Sequence, residues 1–94
     1  MTKIRIYGLD GRDVIKTEWI WNTERATDTM LDRIAKDWKS KFGCTRVFAM
    51  MDSKALRDAW FDFVRVCHRQ DGRAEMAKFE FVDYLESGDW ELGK

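Results

Sequence analysis

The sequence predicts an α+β two-layer sandwich: a four-stranded, mostly antiparallel sheet with two amphipathic helices on one face. Three observations carry the prediction. The first residues alternate apolar and polar on either side of Asp10-Gly11, the pattern of a hairpin. Two longer segments repeat apolar residues at spacings of three and four, the mark of helices with one buried stripe each. Short apolar runs between turn residues supply the remaining strands.

In chain order, Lys3 to Leu9 alternates, with Ile4 and Ile6 on one face and Lys3, Arg5 and Tyr7 on the other. A tight turn at Asp10-Gly11 would set Ile6 opposite Ile15, Tyr7 opposite Val14, Arg5 opposite Lys16 and Lys3 opposite Glu18. Ile4, Ile6, Ile15, Trp19 and Trp21 then share the expected core face. Thr23 suits a helix N-cap, and Glu24 lies in the first turn, where the helix dipole favours an acid. Met30, Leu31, Ile34, Ala35, Trp38 and Phe42 fall within one arc of that helix, and Gly43 stands where a left-handed C′ residue belongs.

Thr45 to Met51 is short, apolar and flanked by breakers, which reads as a strand. Asp52 or Ser53 caps a second helix that runs to about Gln70 and stops at Asp71-Gly72. Its buried stripe is Leu56, Ala59, Trp60, Phe63, Val64, Val66 and Cys67. Residues 76–86 fit two patterns. Ala77, Phe79 and Phe81 alternate with Lys78 and Glu80 as in a strand, while Met76, Phe79, Val82 and Leu85 suit a helix. Because the apolar residues spread round the helical wheel, the strand is the preferred reading. The order is β-β-α-β-α-β, ferredoxin-like in the broad sense, with one sheet face left open.

Ninety-four residues form one domain (residues 1–94), long enough to bury about 65% of the unfolded surface. A composition 45% hydrophobic and 14% aromatic excludes a disordered chain. Seventeen basic and seventeen acidic residues cancel, which argues against non-specific binding to nucleic acid or to a membrane surface. Cys44 and Cys67 are too few for a disulfide scaffold and read as reduced thiols. No apolar run is long enough to span a bilayer, and Met1 to Tyr7 reads as a strand rather than a leader. The expected location is therefore cytoplasmic.

No pattern carries catalysis. Cys67 and His68 are neighbours, about 100° apart on a helix, and cannot act as nucleophile and base together. One histidine and two cysteines do not make a tetrahedral zinc set, and no glycine-rich loop opens a helix. The expectation is a non-enzymatic protein with no cofactor. Three surfaces remain as candidates for partner binding. The open sheet face would present Lys3, Arg5, Tyr7, Lys16, Arg46, Phe48 and Lys78, and cations interleaved with aromatics resemble sheet-based single-strand RNA binders. That likeness lacks the aromatic-glycine motif of such domains. Arg57, Phe61, Arg65 and His68 share one edge of the second helix, where a phenylalanine between arginines suits a protein contact. Trp90 sits in an acidic tail with Glu86, Asp89 and Glu91.

In length, single-domain economy and absence of catalytic motifs, the chain resembles the small inhibitors that phages encode against bacterial defence, such as anti-CRISPR proteins. The likeness is one of general profile, and no motif carries it. It implies a protein partner that is bound and thereby inhibited or regulated, with nucleic-acid binding as the alternative. The edge strands also permit a homodimer.

Overall fold

The computed structural model describes residues 2–22, 28–68, 72–88 and 90–93. Among these, β1 (Thr2–Asp10), β2 (Asp13–Asn22), α1 (Asp28–Lys41), β3 (Arg46–Met51), α2 (Lys54–His68), α3 (Ala74–Ser87) and β4 (Glu91–Leu92) follow in order. The strands form one antiparallel sheet in the order β2-β1-β3-β4. The α+β class and the four-stranded antiparallel sheet are as the sequence predicts. The expected Thr23 cap and Glu24, and Gln70 and Asp71 at the expected end of the second helix, lie outside the described residues.

The hairpin forms, but in a different register. Gly11, at φ +64°, and Arg12 make the loop, so Asp10 faces Asp13 and Leu9 faces Val14. Gly8 then faces Lys16, which leaves Ile15 as an extra residue in β2. From the bulge onward Tyr7 faces Thr17, Ile6 faces Glu18, Arg5 faces Trp19, Ile4 faces Ile20 and Lys3 faces Trp21. One inserted residue exchanges the two faces of a strand, because side chains alternate with period two. Ile20 therefore packs on the core. Ile15, Trp19 and Trp21, expected inside, are 46%, 49% and 48% exposed.

Both faces of the sheet are covered. Ile4, Ile6, Val47 and Ala49 pack with Leu31, Ala35 and Trp38 of α1. The alternate residues Tyr7, Leu9 and Phe48 pack with Leu56 and Phe63 of α2 and with Phe81, Val82 and Leu85 of α3. The expected two layers are thus three, with α1 on one side and the α2–α3 pair on the other. Central strands apolar on both faces need cover on both.

The third helix is the reason. Residues 76–86, preferred as a strand, lie in α3. Ala77, Phe81, Val82 and Leu85 supply a stripe at helical spacing, while Phe79 and Met76, which carried the strand alternation and the rival wheel, are exposed. Ala, Glu, Met, Lys and Leu in this segment are good helix formers. The fourth strand is instead the short β4.

Within α1, Leu31, Ala35 and Trp38 are buried, but Met30, and Phe42 just past the helix end, both expected in the buried stripe, are 41% and 48% exposed. The helix ends as expected: Gly43 has φ +72°, and the Cys44 N–H donates to the Trp38 carbonyl at 3.3 Å. Thr45 joins hairpin to sheet. Its N–H and hydroxyl both donate to the Leu9 carbonyl, and its Oγ1 accepts from the Gly11 N–H.

Candidate interaction surface

Helix α2 begins at Ser53, whose Oγ accepts the Leu56 N–H at 3.1 Å and so satisfies a free first-turn donor. Leu56 and Phe63 anchor the inner side, with Ala59, Trp60, Val64 and Cys67 beside them. Trp60, Phe63, Phe81 and Tyr7 form a cluster of rings with centroids 5.0–5.5 Å apart, at the spacing aromatic pairs favour. A helix held this firmly on one side presents its other side as a preformed surface.

On that outer side Arg57, Phe61, Arg65 and His68 are all exposed. The charges around Phe61 are engaged locally. Arg57 Nη1 donates to Asp52 Oδ2 at 3.0 Å, Arg65 Nη2 to Asp62 Oδ1 at 2.6 Å, and Lys54 Nζ to Asp58 Oδ2 at 2.8 Å. Asp52 is shared, since Arg5 Nε of β1 donates to its Oδ1 at 3.0 Å. Burial alone would raise the Asp52 pKa, but Arg5 and Arg57 outweigh it and hold the carboxyl below its usual range. Phe61 itself is 69% exposed, the largest value among the described large apolar residues.

The other expected site residues are dispersed. Tyr7 and Phe48 are 2% and 1% exposed, so neither can stack on a base or meet a partner. The open sheet face does not exist, because α2 and α3 occupy it. Burial pushes the Tyr7 phenol up to about 12 against the opposing pull of Arg5, and its hydroxyl has no hydrogen-bond partner among the described residues. Lys16 lies on the α1 side, 4.4 Å from the Phe42 ring centroid and 5.2 Å from that of Trp38. Arg46 sits over Phe48 and pairs with Glu86 and Glu91, whose hydrogen bonds raise its pKa further. Lys78 pairs with Asp13 and Glu75. Trp90 is 41% exposed, and its carbonyl accepts the Ala49 N–H at 3.0 Å.

Sequence reasoning missed the Trp19–Trp21 pair on the edge strand. The rings meet edge to face at 5.7 Å, and the Lys3 ammonium lies 4.5 and 5.2 Å from their centroids. Their alternate spacing placed both on one face, and the unforeseen bulge decided which face.

Cavities are small. A cleft of about 160 Å³ between α2 and α3 is lined in part by Asp62, Phe63, Glu80 and Phe81. One of about 80 Å³ under β2 is lined by Arg5, Tyr7, Thr17, Glu18, Trp19 and Trp60. Cys44 packs with the α1 core and Cys67 with the α2–α3 core, on opposite sides of the sheet, and both are free thiols. Burial, then Asp10, raises the Cys44 pKa. Among the described residues no three His, Cys, Asp or Glu side chains group as metal ligands, and no helix is long and apolar enough to cross a membrane. Comparison with protein-family models, curated proteins and solved structures finds no match for this chain.

Proposed function

We propose that the chain is a non-enzymatic interaction domain that binds another protein through the outer face of α2 and inhibits or regulates that partner by occupying it. The observation that carries this reading is Phe61: a large apolar ring, 69% exposed, on a rigid helix whose neighbouring charges are already paired. A ring in that setting costs little entropy to bury and gains apolar contact, which is how interface hot spots arise. Arg57, Arg65 and His68 form the polar rim. The small-inhibitor profile fits the same reading, since blocking a partner needs a surface and no chemistry. The nucleic-acid alternative rested on an open sheet face, and the burial of Tyr7 and Phe48 removes that platform.

The test is capture of a partner from lysate by wild type beside Phe61→Glu and Arg65→Glu, followed by affinity measurement on the recovered protein. Phe61→Glu is expected to cost roughly 2 kcal/mol of binding, about thirtyfold, with an unchanged thermal melt. Equal affinity of wild type and Phe61→Glu for the captured protein would sink the proposal.

A further inference from the structure

The molecule has a second unsatisfied surface, on a different element. Strand β2 is an edge, with β1 its only strand neighbour among the described residues, and it runs ten residues. The opposite edge, β4, has two residues. A long edge offers a row of backbone donors and acceptors to another strand. Nothing in the sequence blocks this with proline, which the chain lacks. The bulge at Ile15 limits the regular edge to the part from Lys16 onward.

The side chains along that edge select one occupant. Lys16 faces Gly8 and Glu18 faces Ile6 across the β1–β2 ladder, so both lie on the α1 side of the sheet. Glu18 is exposed and has no salt-bridge partner among the described residues. We propose that a second copy of this chain pairs with β2 antiparallel about a twofold axis at Thr17. Lys16 then stands opposite Glu18 of the second copy, and Glu18 opposite its Lys16. Thr17 meets Thr17, and Trp19 reaches the Ile15 bulge of the other copy, covering two half-exposed apolar side chains.

The neighbouring registers are worse. Centring on Glu18 or on Lys16 sets like charges face to face, which destabilises a strand pair. Centring on Trp19 leaves Lys16 and Glu18 opposite Asn22 and Ile20, with no charge matched. Only the Thr17 centre matches both charges twice. The result is one continuous eight-stranded sheet, by doubling four strands. Because the ladder is short, the contact belongs to the small, transient class of interfaces, weakened by salt through its ion pairs.

Charge exchange tests both the pairing and its register. Wild type should show concentration-dependent dimerisation in sedimentation velocity. Glu18→Lys sets lysine opposite lysine, and Lys16→Glu sets acid opposite acid; each should weaken the dimer about tenfold. The two variants mixed in equal amounts should form a heterodimer, seen as a mixed mass by native mass spectrometry, and the double variant K16E/E18K should recover the wild-type dimer. Lys16 also rests on Trp38 and Phe42, so should Lys16→Glu fail to fold, Glu18→Lys and its tenfold loss carry the test alone. A wild type that stays monomeric, as it would if the edge instead takes a strand from a different protein, overturns the proposal. So does a Glu18→Lys variant that dimerises as well as wild type. Phe61→Glu lies on α2 and should leave dimerisation unchanged, which separates this outcome from that of the partner-binding test.

Discussion

Arg46 donates from Nε and Nη2 to the same oxygen of Glu91, at 3.2 and 2.5 Å, and from Nη1 to Glu86 at 2.7 Å. One guanidinium thereby ties β3 both to β4 and to the end of α3. β4 contributes only two residues to the ladder, so this ion group does much of the work of holding it. The side chains of Arg46 and Glu91 are 31% and 16% exposed, and such partly buried charge-assisted bonds exceed the value of a surface pair. Arg46→Met is expected to destabilise by about 1–2 kcal/mol, by removing the charge-assisted hydrogen bonds of the guanidinium to Glu86 and Glu91. Urea denaturation measures the loss. Amide exchange at Glu91 and Leu92 should rise more than at β1, and uniform protection across both strands would contradict the assignment.

Asp52 joins Arg5 of β1 to Arg57 of α2. Its pKa is lowered in the folded protein by those two cations, against the effect of burial. A group depressed on folding binds fewer protons in the native state. Its contribution to stability is complete above the unfolded carboxyl value, about 3.9, and is lost as pH falls through the folded value. Urea midpoints followed downward from pH 6 should therefore fall more steeply for wild type than for Asp52→Asn below about pH 4. Parallel curves would show that Asp52 has no such role.

The sequence made the class of fold legible because its strongest patterns are local. The stripe Leu31-Ala35-Trp38, the Gly43 stop and the Leu56-to-Cys67 face need only the period of a helix to be read, and each lies where expected save Val66, which is half-buried and outside the core cluster. The Asp10-Gly11 signal likewise gave the hairpin. The register required one further fact, the bulge at Ile15, and no residue there announces it. The side of Trp19 and Trp21 went with it, whereas the supposed exposure of Tyr7 failed for another reason: α2 and α3 cover the face it lies on. Phe48 carried a cue that alternation obscured. Val47-Phe48-Ala49-Met50 is an unbroken apolar run, which is what a strand covered on both faces looks like. Of the expected contact residues, those on α2 kept their place because helical spacing alone assigned them.

The two faces of α2 should separate cleanly in stability. Phe63 is 9% exposed and stacks on Phe81 at 5.0 Å, whereas Phe61, two residues earlier, faces water. Phe63→Ala is expected to cost about 3–5 kcal/mol through lost burial and the cavity it leaves. Phe61→Ala should stay within about 0.5 kcal/mol of wild type, as surface substitutions do. Urea denaturation of both variants decides. A large loss for Phe61→Ala would mean that the ring supports the fold, and its exposure could no longer be read as a binding feature.

Gly8 is the point where the hairpin meets the α1 core. A Cβ there would stand 2.7 Å from the Cys44 Sγ and 2.8 Å from Cε3 of Trp38, both inside normal contact distance. Trp38 and Cys44 are 4% exposed, packed with Val47 and Ala35, so neither can swing into solvent. Gly8→Ala is therefore expected to destabilise by about 1–3 kcal/mol through overpacking. Cys44→Ala removes the nearer of the two obstacles. The double variant Gly8→Ala/Cys44→Ala should consequently lose less than the sum of the single changes, with a coupling of about 0.5–1 kcal/mol in a double-mutant cycle. Rescue should stay incomplete, because the Trp38 ring remains. Strict additivity would show that the added methyl is accommodated by the strand, and that the clash with Cys44 is relieved in the backbone before it reaches the core.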